Sequence, residues 1–199
     1  MVNLNVLILN TNSHDFIKIF SSQFLNDKDI FNLEQFKNEI VKNEKAASLY
    51  FKNKYIGKYE INEFNKPVSQ YKKFNVSHSH GLVCFVEDNQ NIGIDIELIR
   101  DVNDDLKKYI SSKEEIDYIR NNKNFFEIWT SKESLVKASG TGLNNKINEI
   151  PALPINGIKK YKEKIYRTKT FYYQDFIISI SREGEEDFNI VFKEEIITL

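Results

Sequence analysis

The 199-residue sequence contains little cysteine, proline or glycine, with one cysteine, three prolines and seven glycines. A single cysteine, Cys84, excludes an internal disulfide. Its place in the alternating run LVCFVED predicts a buried small residue rather than a nucleophile. No segment rich in proline or serine divides the chain. We therefore expect one compact unit without a flexible linker.

Net positive charge and long apolar runs are also absent from the sequence. The 28 Lys and Arg residues against 29 Asp and Glu give a net charge of −1, without the positive field that non-specific nucleic-acid binding requires. The apolar run in MVNLNVLILN lacks the basic flank and cleavage site of a secretory signal, and no other segment approaches a membrane span. We expect a cytoplasmic protein that binds neither nucleic acid nor membranes.

The residues that are present predict a folded α+β protein. The composition, with 41% hydrophobic, 13% aromatic and 29% charged residues, is that of a globular chain. Side-chain periodicity predicts helices at 13–25, 41–56, 112–120 and 124–139, and strands at 3–9, 72–77, 82–88, 91–97, 157–168, 169–175, 176–182 and 188–193. The three strands between residues 72 and 97 are predicted to form an antiparallel meander.

The order of these elements repeats along the chain. A strand, helices and further strands occur once before about residue 98 and once after it. The repetition predicts two similar halves, residues 1–98 and 99–199. Each half is expected to be a small antiparallel sheet packed with helices, and the two halves to be related by a pseudo-twofold axis.

Two carboxylates lie on one side of a predicted strand in the motif GIDIE. Side chains alternate along a strand, so Asp95 and Glu97 point the same way with their Cα atoms about 6.6 Å apart. Such carboxylates repel each other and raise each other's pKa unless a cation lies between them. The pattern therefore indicates a metal site. An exposed polar face above buried Ile94 and Ile96 is the alternative.

A second motif, WTSKE, lies on the predicted helix 124–139. Glu133 and Lys137 are four residues apart and share a helix face, where they can form an ion pair. Thr130 and Glu133 also match a capping box, which would make Glu133 a helix-start residue. The apolar spacing on both sides of Thr130 favours a continuous helix.

Two further segments carry groups that suit phosphate binding. The segment FNVSHSHG places Ser77 and His78 at the tip of a strand, where a hydroxyl and an imidazolium can both donate hydrogen bonds. His78 and His80 could together face a zinc ion, but no cysteine or third histidine lies near them in the sequence. The turn FNKP carries Lys66, which by itself indicates no function.

In combination the four motifs resemble the 4′-phosphopantetheinyl transferases that act on carrier proteins, in the longer form typified by the surfactin-synthetase activator. That family's G-I-D-I-E is present as residues 93–97 and its W-x-x-K-E-x-x-x-K as residues 129–137. Its N-x-S-H-S is present as residues 75–79, and its G-K-P as residues 65–67 with Asn65 in place of glycine. Outside these motifs, a weaker similarity to the family extends from about residue 40 through the strand FIISISR.

The resemblance implies a magnesium-dependent transfer of the phosphopantetheine arm of coenzyme A. The acceptor would be a serine of an apo acyl or peptidyl carrier protein, and adenosine 3′,5′-bisphosphate would be released. Asp95, Glu97 and Glu133 would bind magnesium, and Lys137 would stabilise the leaving group. Glu133 or a water acidified by magnesium would accept the serine proton.

The resemblance also implies which residues hold coenzyme A. The expected contacts come from Lys66, Ser77, His78, Lys137, Ser48 and Lys45. The family's arginine before Ser48 is replaced here by Ala47, so Lys42 or Lys45 is expected to substitute for it. A monomer is expected, because both halves lie in one chain. A non-catalytic module that binds coenzyme A or a nucleotide, and a phosphohydrolase, are the alternative functions.

Overall fold

The computed structural model describes residues 1–12, 15–20, 23–64, 66–142 and 146–197. Its helices are α1 (Phe16–Phe20), α2 (Asp27–Glu34), α3 (Glu39–Phe51), α4 (Asp104–Ile110), α5 (Lys113–Tyr118) and α6 (Asn122–Ser139), with a π-helical turn at Lys52–Ile56 and a 3-10 turn at Ile147–Glu149. Its strands are β1 (Val2–Asn10), β2 (Glu60–Ile61), β3 (Pro67–Val68), β4 (Lys73–Ser79), β5 (Leu82–Asp88), β6 (Ile92–Leu98), β7 (Gly157–Tyr161), β8 (Lys164–Tyr173), β9 (Phe176–Glu183) and β10 (Phe188–Glu194). Asn65 and parts of the predicted helix 13–25 lie outside the described residues.

The described strands form two four-stranded sheets and one small hairpin. The first sheet has the order β10-β1-β5-β4, the second has the order β6-β9-β8-β7, and β2 pairs with β3. All neighbouring strands are antiparallel except β1 and β10, which are parallel. The predicted α+β class, with sheets packed against helices, is confirmed.

The predicted meander is wrong. Strands β4 and β5 form a hairpin, but β6 pairs with β9 of the second sheet. The isoleucines of β6 are buried against apolar side chains of both sheets, and this burial stabilises the strand between them. The predicted strands 157–168 and 169–175 are also divided differently. The chain turns at Lys162 and Glu163, which both have positive φ, and β8 then continues to Tyr173.

The sheets exchange strands across the predicted boundary between the halves. Strand β6, from the first half, belongs to the second sheet, and β10, from the second half, pairs with β1. The division into residues 1–98 and 99–199 stays a prediction.

Apolar side chains form three buried clusters. The first lies between helices α1 to α3 and one face of the first sheet, and includes Phe20, Phe51 and Phe85. The second is built from β1, β5, β6, β9 and β10. The third packs α6 against the second sheet. Cys84 is fully buried in the second cluster, as predicted.

Helix α6 lies unusually close to β6. A Cβ atom added to Gly93 would lie 2.1 Å from the Ser134 carbonyl oxygen and 2.4 Å from the Ala138 nitrogen, so only glycine fits there. Buried hydroxyl pairs join the same helix to β9, with Oγ1 of Thr130 2.7 Å from Oγ of Ser179.

No helix of the described residues is both long and apolar enough to cross a membrane.

A buried ion pair fixes the middle of α6. Lys132 is fully buried, and its Nζ lies 2.7 Å from Oε2 of Glu115 and 3.0 Å from the carbonyl oxygen of Ile147. Glu115 also completes a capping box with Ser112 at the start of α5 and accepts from the Ala152 N–H. Lys132 of the WTSKE motif therefore has a structural role.

We expect Lys132→Met to lower the free energy of unfolding by about 3–5 kcal/mol, because the change leaves the Glu115 carboxylate buried without its cation. Chemical denaturation measures this value. Lys72→Met is the matched control, because its ion pair with Glu87 lies at the surface and its loss is expected to cost less than about 1 kcal/mol. Equal losses in the two variants would contradict the structural role of Lys132.

Candidate active site

Asp95 and Glu97 share one side of β6, while Ile94 and Ile96 are buried on the other. Asp95 is itself buried, so the alternative of an exposed polar face is wrong for this residue. Glu97 lies nearer the surface. Gly93 and Asp95 are two positions apart on β6, so the close approach of α6 at Gly93 brings that helix beside the carboxylates.

Side chains of β4 meet β6 where backbone pairing is missing. The Asn75 side-chain oxygen accepts from the Ile94 N–H at 2.9 Å. Further along, the Ser77 hydroxyl donates to Asp95 at 2.9 Å, and the Ser79 hydroxyl donates to Glu97 at 3.0 Å. This ladder of three alternate residues joins the two sheets and orients both carboxylates.

Lys137 pairs with Asp95 rather than with Glu133. Its Nζ lies 2.6 Å from Oδ1 of Asp95 and 3.0 Å from Oγ of Ser77. Burial alone would lower the pKa of Lys137, but the nearby carboxylates of Asp95 and Glu133 raise it above its ordinary value. Lys137 is therefore a fixed cation. Lys66 donates from its Nζ to the backbone carbonyl of Lys137.

Two carboxylate groups in this centre, those of Asp95 and Glu133, have oxygens to which no described residue donates a hydrogen bond. Oδ2 of Asp95 is buried and has no partner among the described residues. No described residue donates a hydrogen bond to Glu133, which is only 9% exposed. Burial, followed by the negative charge of Asp95, raises the pKa of Glu133 to about 7. The centre thus has unused acceptor oxygens.

Glu97 is held at the edge of the centre. Besides Ser79, it accepts from the indole N–H of Trp129 at 3.2 Å and lies 3.3 Å from the guanidinium of Arg100. Trp129 therefore contributes a polar contact as well as apolar surface. The capping-box alternative for Glu133 is wrong, because α6 begins at Asn122, with Asn121 as its N-cap, and the Thr130 hydroxyl donates to the Phe126 carbonyl within the helix.

In the described part of the chain, no three His, Cys, Asp or Glu side chains are arranged to hold a metal ion. The magnesium site of Asp95, Glu97 and Glu133 stays a prediction. The residues fit such an ion in chemistry, because all three supply carboxylate oxygens and the buried Oδ2 of Asp95 lacks a partner.

A cleft of about 440 Å³ lies between helices α2 and α3 and the strand β4. Three residues predicted to bind coenzyme A, namely Lys45, Ser48 and His78, line it together. Lys42 pairs with Glu39 instead and is not among the lining residues. The sequence gives no indication of Lys52, which also lines the cleft.

The other predicted contacts lie towards the acidic centre. Ser77 and His78 are neighbours on β4, and their side chains point to opposite faces of the strand. Ser77 therefore reaches Asp95 while His78 lines the cleft. Pro67 lines the cleft as well, and its neighbour Lys66 reaches the backbone of α6. The two parts of the site are thus connected by β4 and by the pair Lys66 and Pro67.

Comparisons with known proteins place these residues in a family. A family model described as the 4′-phosphopantetheinyl transferase superfamily matches residues 91–190, which include Asp95, Glu97, Glu133 and Lys137. The chain is 34% identical to the 4′-phosphopantetheinyl transferase gsp of Aneurinibacillus migulanus over 97 residues, which are 45% of this chain and 41% of that protein.

Two further relatives match shorter regions. The 4′-phosphopantetheinyl transferase Sfp of Bacillus subtilis is 36% identical over 77 residues, which are 36% of this chain and 34% of that protein. The 4′-phosphopantetheinyl transferase HetI of a Nostoc species is 38% identical over 86 residues, with shares of 39% and 36%. The chain therefore spans less than half the length of the relatives it matches.

The raised pKa of Glu133 predicts a pH-dependent stability. A carboxyl group with a higher pKa in the folded chain binds its proton more tightly there, so ionising it weakens the fold as the pH rises from about 4.5 to about 7. Relative to Glu133→Gln, we expect the wild type to lose about 3 kcal/mol of unfolding free energy across this range.

Chemical denaturation at several pH values, with EDTA present to remove divalent cations, measures this difference. Glu114→Gln, an exposed glutamate in the first turn of α5, is the control and should show no such change relative to the wild type. A constant difference between the wild type and Glu133→Gln over the same range would contradict the prediction.

Proposed function

Because the chain belongs to the 4′-phosphopantetheinyl transferase superfamily, we propose that it transfers the phosphopantetheine arm of coenzyme A to a carrier protein. The acceptor is a serine hydroxyl of an apo acyl or peptidyl carrier protein, and adenosine 3′,5′-bisphosphate is released. We also propose that the protein acts in the cytoplasm as a monomer.

One observation carries this proposal. The Lys137 ammonium lies 2.6 Å from Asp95, and Glu133, whose carboxyl has no partner in the described part of the chain, lies on the same helix one turn before Lys137. A fixed cation beside a carboxyl with a pKa of about 7 suits a reaction that neutralises a leaving phosphate and removes a hydroxyl proton. The family match covers both residues.

The reaction proposed for these residues is a displacement at phosphorus. The serine oxygen bonds to the phosphorus that bears the pantetheine arm, and the bond from this phosphorus to the bridging oxygen breaks. Lys137 stabilises the negative charge that develops on the leaving bisphosphate. Asp95, Glu97 and Glu133 would hold the magnesium ion, which supplies further positive charge to the pyrophosphate oxygens.

The serine proton requires an acceptor near the reacting atoms. The sequence leaves open two acceptors, Glu133 and a water acidified by magnesium. Without an ion, burial raises the pKa of Glu133 to about 7, and a bound magnesium ion would lower it. Glu133 can therefore accept the proton through an oxygen that the ion does not bind. We propose Glu133 as the general base.

Coenzyme A is proposed to bind in the cleft beside β4. Lys45 lies over the ring of Phe36 at 4.8 Å, and Lys52 lies over the ring of Tyr59 at 5.3 Å. With His78, these lysines can put three donors around a phosphate. Ser48 lines the same cleft, and its hydroxyl donates to the Glu44 carbonyl at 2.8 Å. The 3′-phosphate of coenzyme A is the group that this set of donors suits. We propose that the pyrophosphate approaches α6 beside Lys66 and Lys137, which contact each other.

Asp95→Asn tests the reaction. Purified protein is incubated with coenzyme A, magnesium and a panel of apo carrier proteins, and the added phosphopantetheine mass is followed by mass spectrometry. We expect Asp95→Asn to reduce the rate by at least about 10²-fold, because Lys137 loses its anionic partner and the centre loses a carboxylate ligand. Replacing magnesium by EDTA should have the same effect.

Asp105→Asn, an exposed residue in the first turn of α4, is the control and should react at the wild-type rate. Binding of coenzyme A without modification of any carrier would instead support a non-catalytic module. Release of bisphosphate from coenzyme A without a carrier would indicate a phosphohydrolase.

Lys45→Met tests the cleft. We expect its affinity for coenzyme A to fall about tenfold, because one charged contact to the 3′-phosphate is lost, while its affinity for dephospho-coenzyme A stays unchanged. Titration calorimetry measures both affinities. Lys42→Met, on the same helix but outside the cleft, should bind both compounds like the wild type. An equal loss for both compounds would contradict a contact to the 3′-phosphate.

A further inference from the structure

Glu44 is a buried carboxylate in α3 that none of the sequence motifs includes. It is 4% exposed, and both of its oxygens have partners. Oε2 lies 3.0 Å from Nδ1 of His78, and Oε1 accepts from the Gly81 N–H at 2.7 Å. Glutamate is rarely buried unless its charge is paired, so this arrangement requires an explanation.

The charge of Glu44 determines which ring nitrogen of His78 carries a proton. Burial alone would raise the pKa of Glu44, but the hydrogen bonds from His78 and Gly81 hold it below the ordinary value. Glu44 is therefore an anion at neutral pH and accepts a hydrogen bond from Nδ1. The other nitrogen, Nε2, is then the one available to a ligand in the cleft that His78 lines.

Glu44 also fixes the hairpin that carries His78. Between β4 and β5 the chain turns through His80 and Gly81, which have φ values of 49° and 83°. The bond from Gly81 to Glu44 ties this turn to α3, while the Ser79 hydroxyl ties it to Glu97. One end of the hairpin is thus held between the cleft and the acidic centre.

We propose that Glu44 is a positioning residue that presents His78 to a phosphate of coenzyme A. With Nδ1–H bound to Glu44, the ring can donate from Nε2 only as an imidazolium, and the Glu44 carboxylate stabilises that cation. The choice of coenzyme A as the ligand rests on the proposed function. The orientation and protonation of the ring do not depend on it.

Glu44→Gln separates this role from packing. The glutamine oxygen can still accept from the Gly81 N–H, but its amide nitrogen donates to Nδ1, so His78 binds a phosphate as a neutral ring. We expect the KM for coenzyme A to rise about tenfold with little change in kcat. Adenosine 3′,5′-bisphosphate should lose a similar factor in affinity, which titration calorimetry measures without any carrier protein.

Two controls test whether Glu44 acts through His78. Glu39→Gln, at an exposed ion pair on the same helix, should leave the KM unchanged. In a double-mutant cycle, Glu44→Gln should change nothing further once His78 is alanine. A tenfold loss that persists in the His78→Ala protein would overturn the proposal.

Nitrogen-15 NMR of the wild-type His78 ring keeps the proposal testable even if Glu44→Gln fails to fold. We expect Nδ1 to carry a proton in the free protein, and both ring nitrogens to carry protons once adenosine 3′,5′-bisphosphate is bound. An unprotonated Nδ1, or an Nε2 signal that does not respond to the bisphosphate, would refute the role of Glu44. Failure of carrier modification with this NMR pattern intact would count against the transferase reaction alone.

Discussion

The contact between the backbones of α6 and β6 at Gly93 determines the distances in the acidic centre. Any Cβ atom at this position would lie 2.1 Å from the Ser134 carbonyl oxygen, and a backbone carbonyl cannot rotate away as a flexible side chain can. A larger residue would therefore push the helix off the strand. Because Lys137 reaches Asp95 only across this contact, the glycine of the GIDIE motif is required by the site although it carries no functional group.

The ladder from β4 to β6 holds the other side of the centre. Where two strands normally exchange backbone hydrogen bonds, Asn75, Ser77 and Ser79 bridge the gap with side chains. This substitution leaves room for carboxylates between the sheets and supplies donors that make their burial tolerable. It also divides the site into two faces, because the residues between the ladder positions point towards the cleft and α3.

Local patterns in the sequence predict the elements that carry the acidic centre, but not how the strands pair. Helix α6 and strands β1, β4, β5 and β6 follow from apolar periodicity. The partner of β6 and the parallel pairing of β10 with β1 depend on contacts between distant residues, which periodicity does not encode. Glu44 is missed for the same reason. In the run NEKAAS it resembles a surface glutamate, and only its contact with His78 from another element marks it as buried.

Charge imbalance connects the two roles considered for Glu133. Asp95, Glu97 and Glu133 bring three carboxyl groups together, whereas Lys137 and Arg100 are the cations paired with Asp95 and Glu97. Among the described residues Glu133 has no ion-pair partner, and it avoids the cost of an unpaired buried charge by holding its proton up to about pH 7. A cation that enters the centre lowers that pKa and favours ionised Glu133, whereas a hydroxyl donor gives Glu133 a proton to accept. Both outcomes follow from one carboxyl that has fewer partners than its neighbours. Glu133 can therefore bind an ion and can also accept a proton from a substrate.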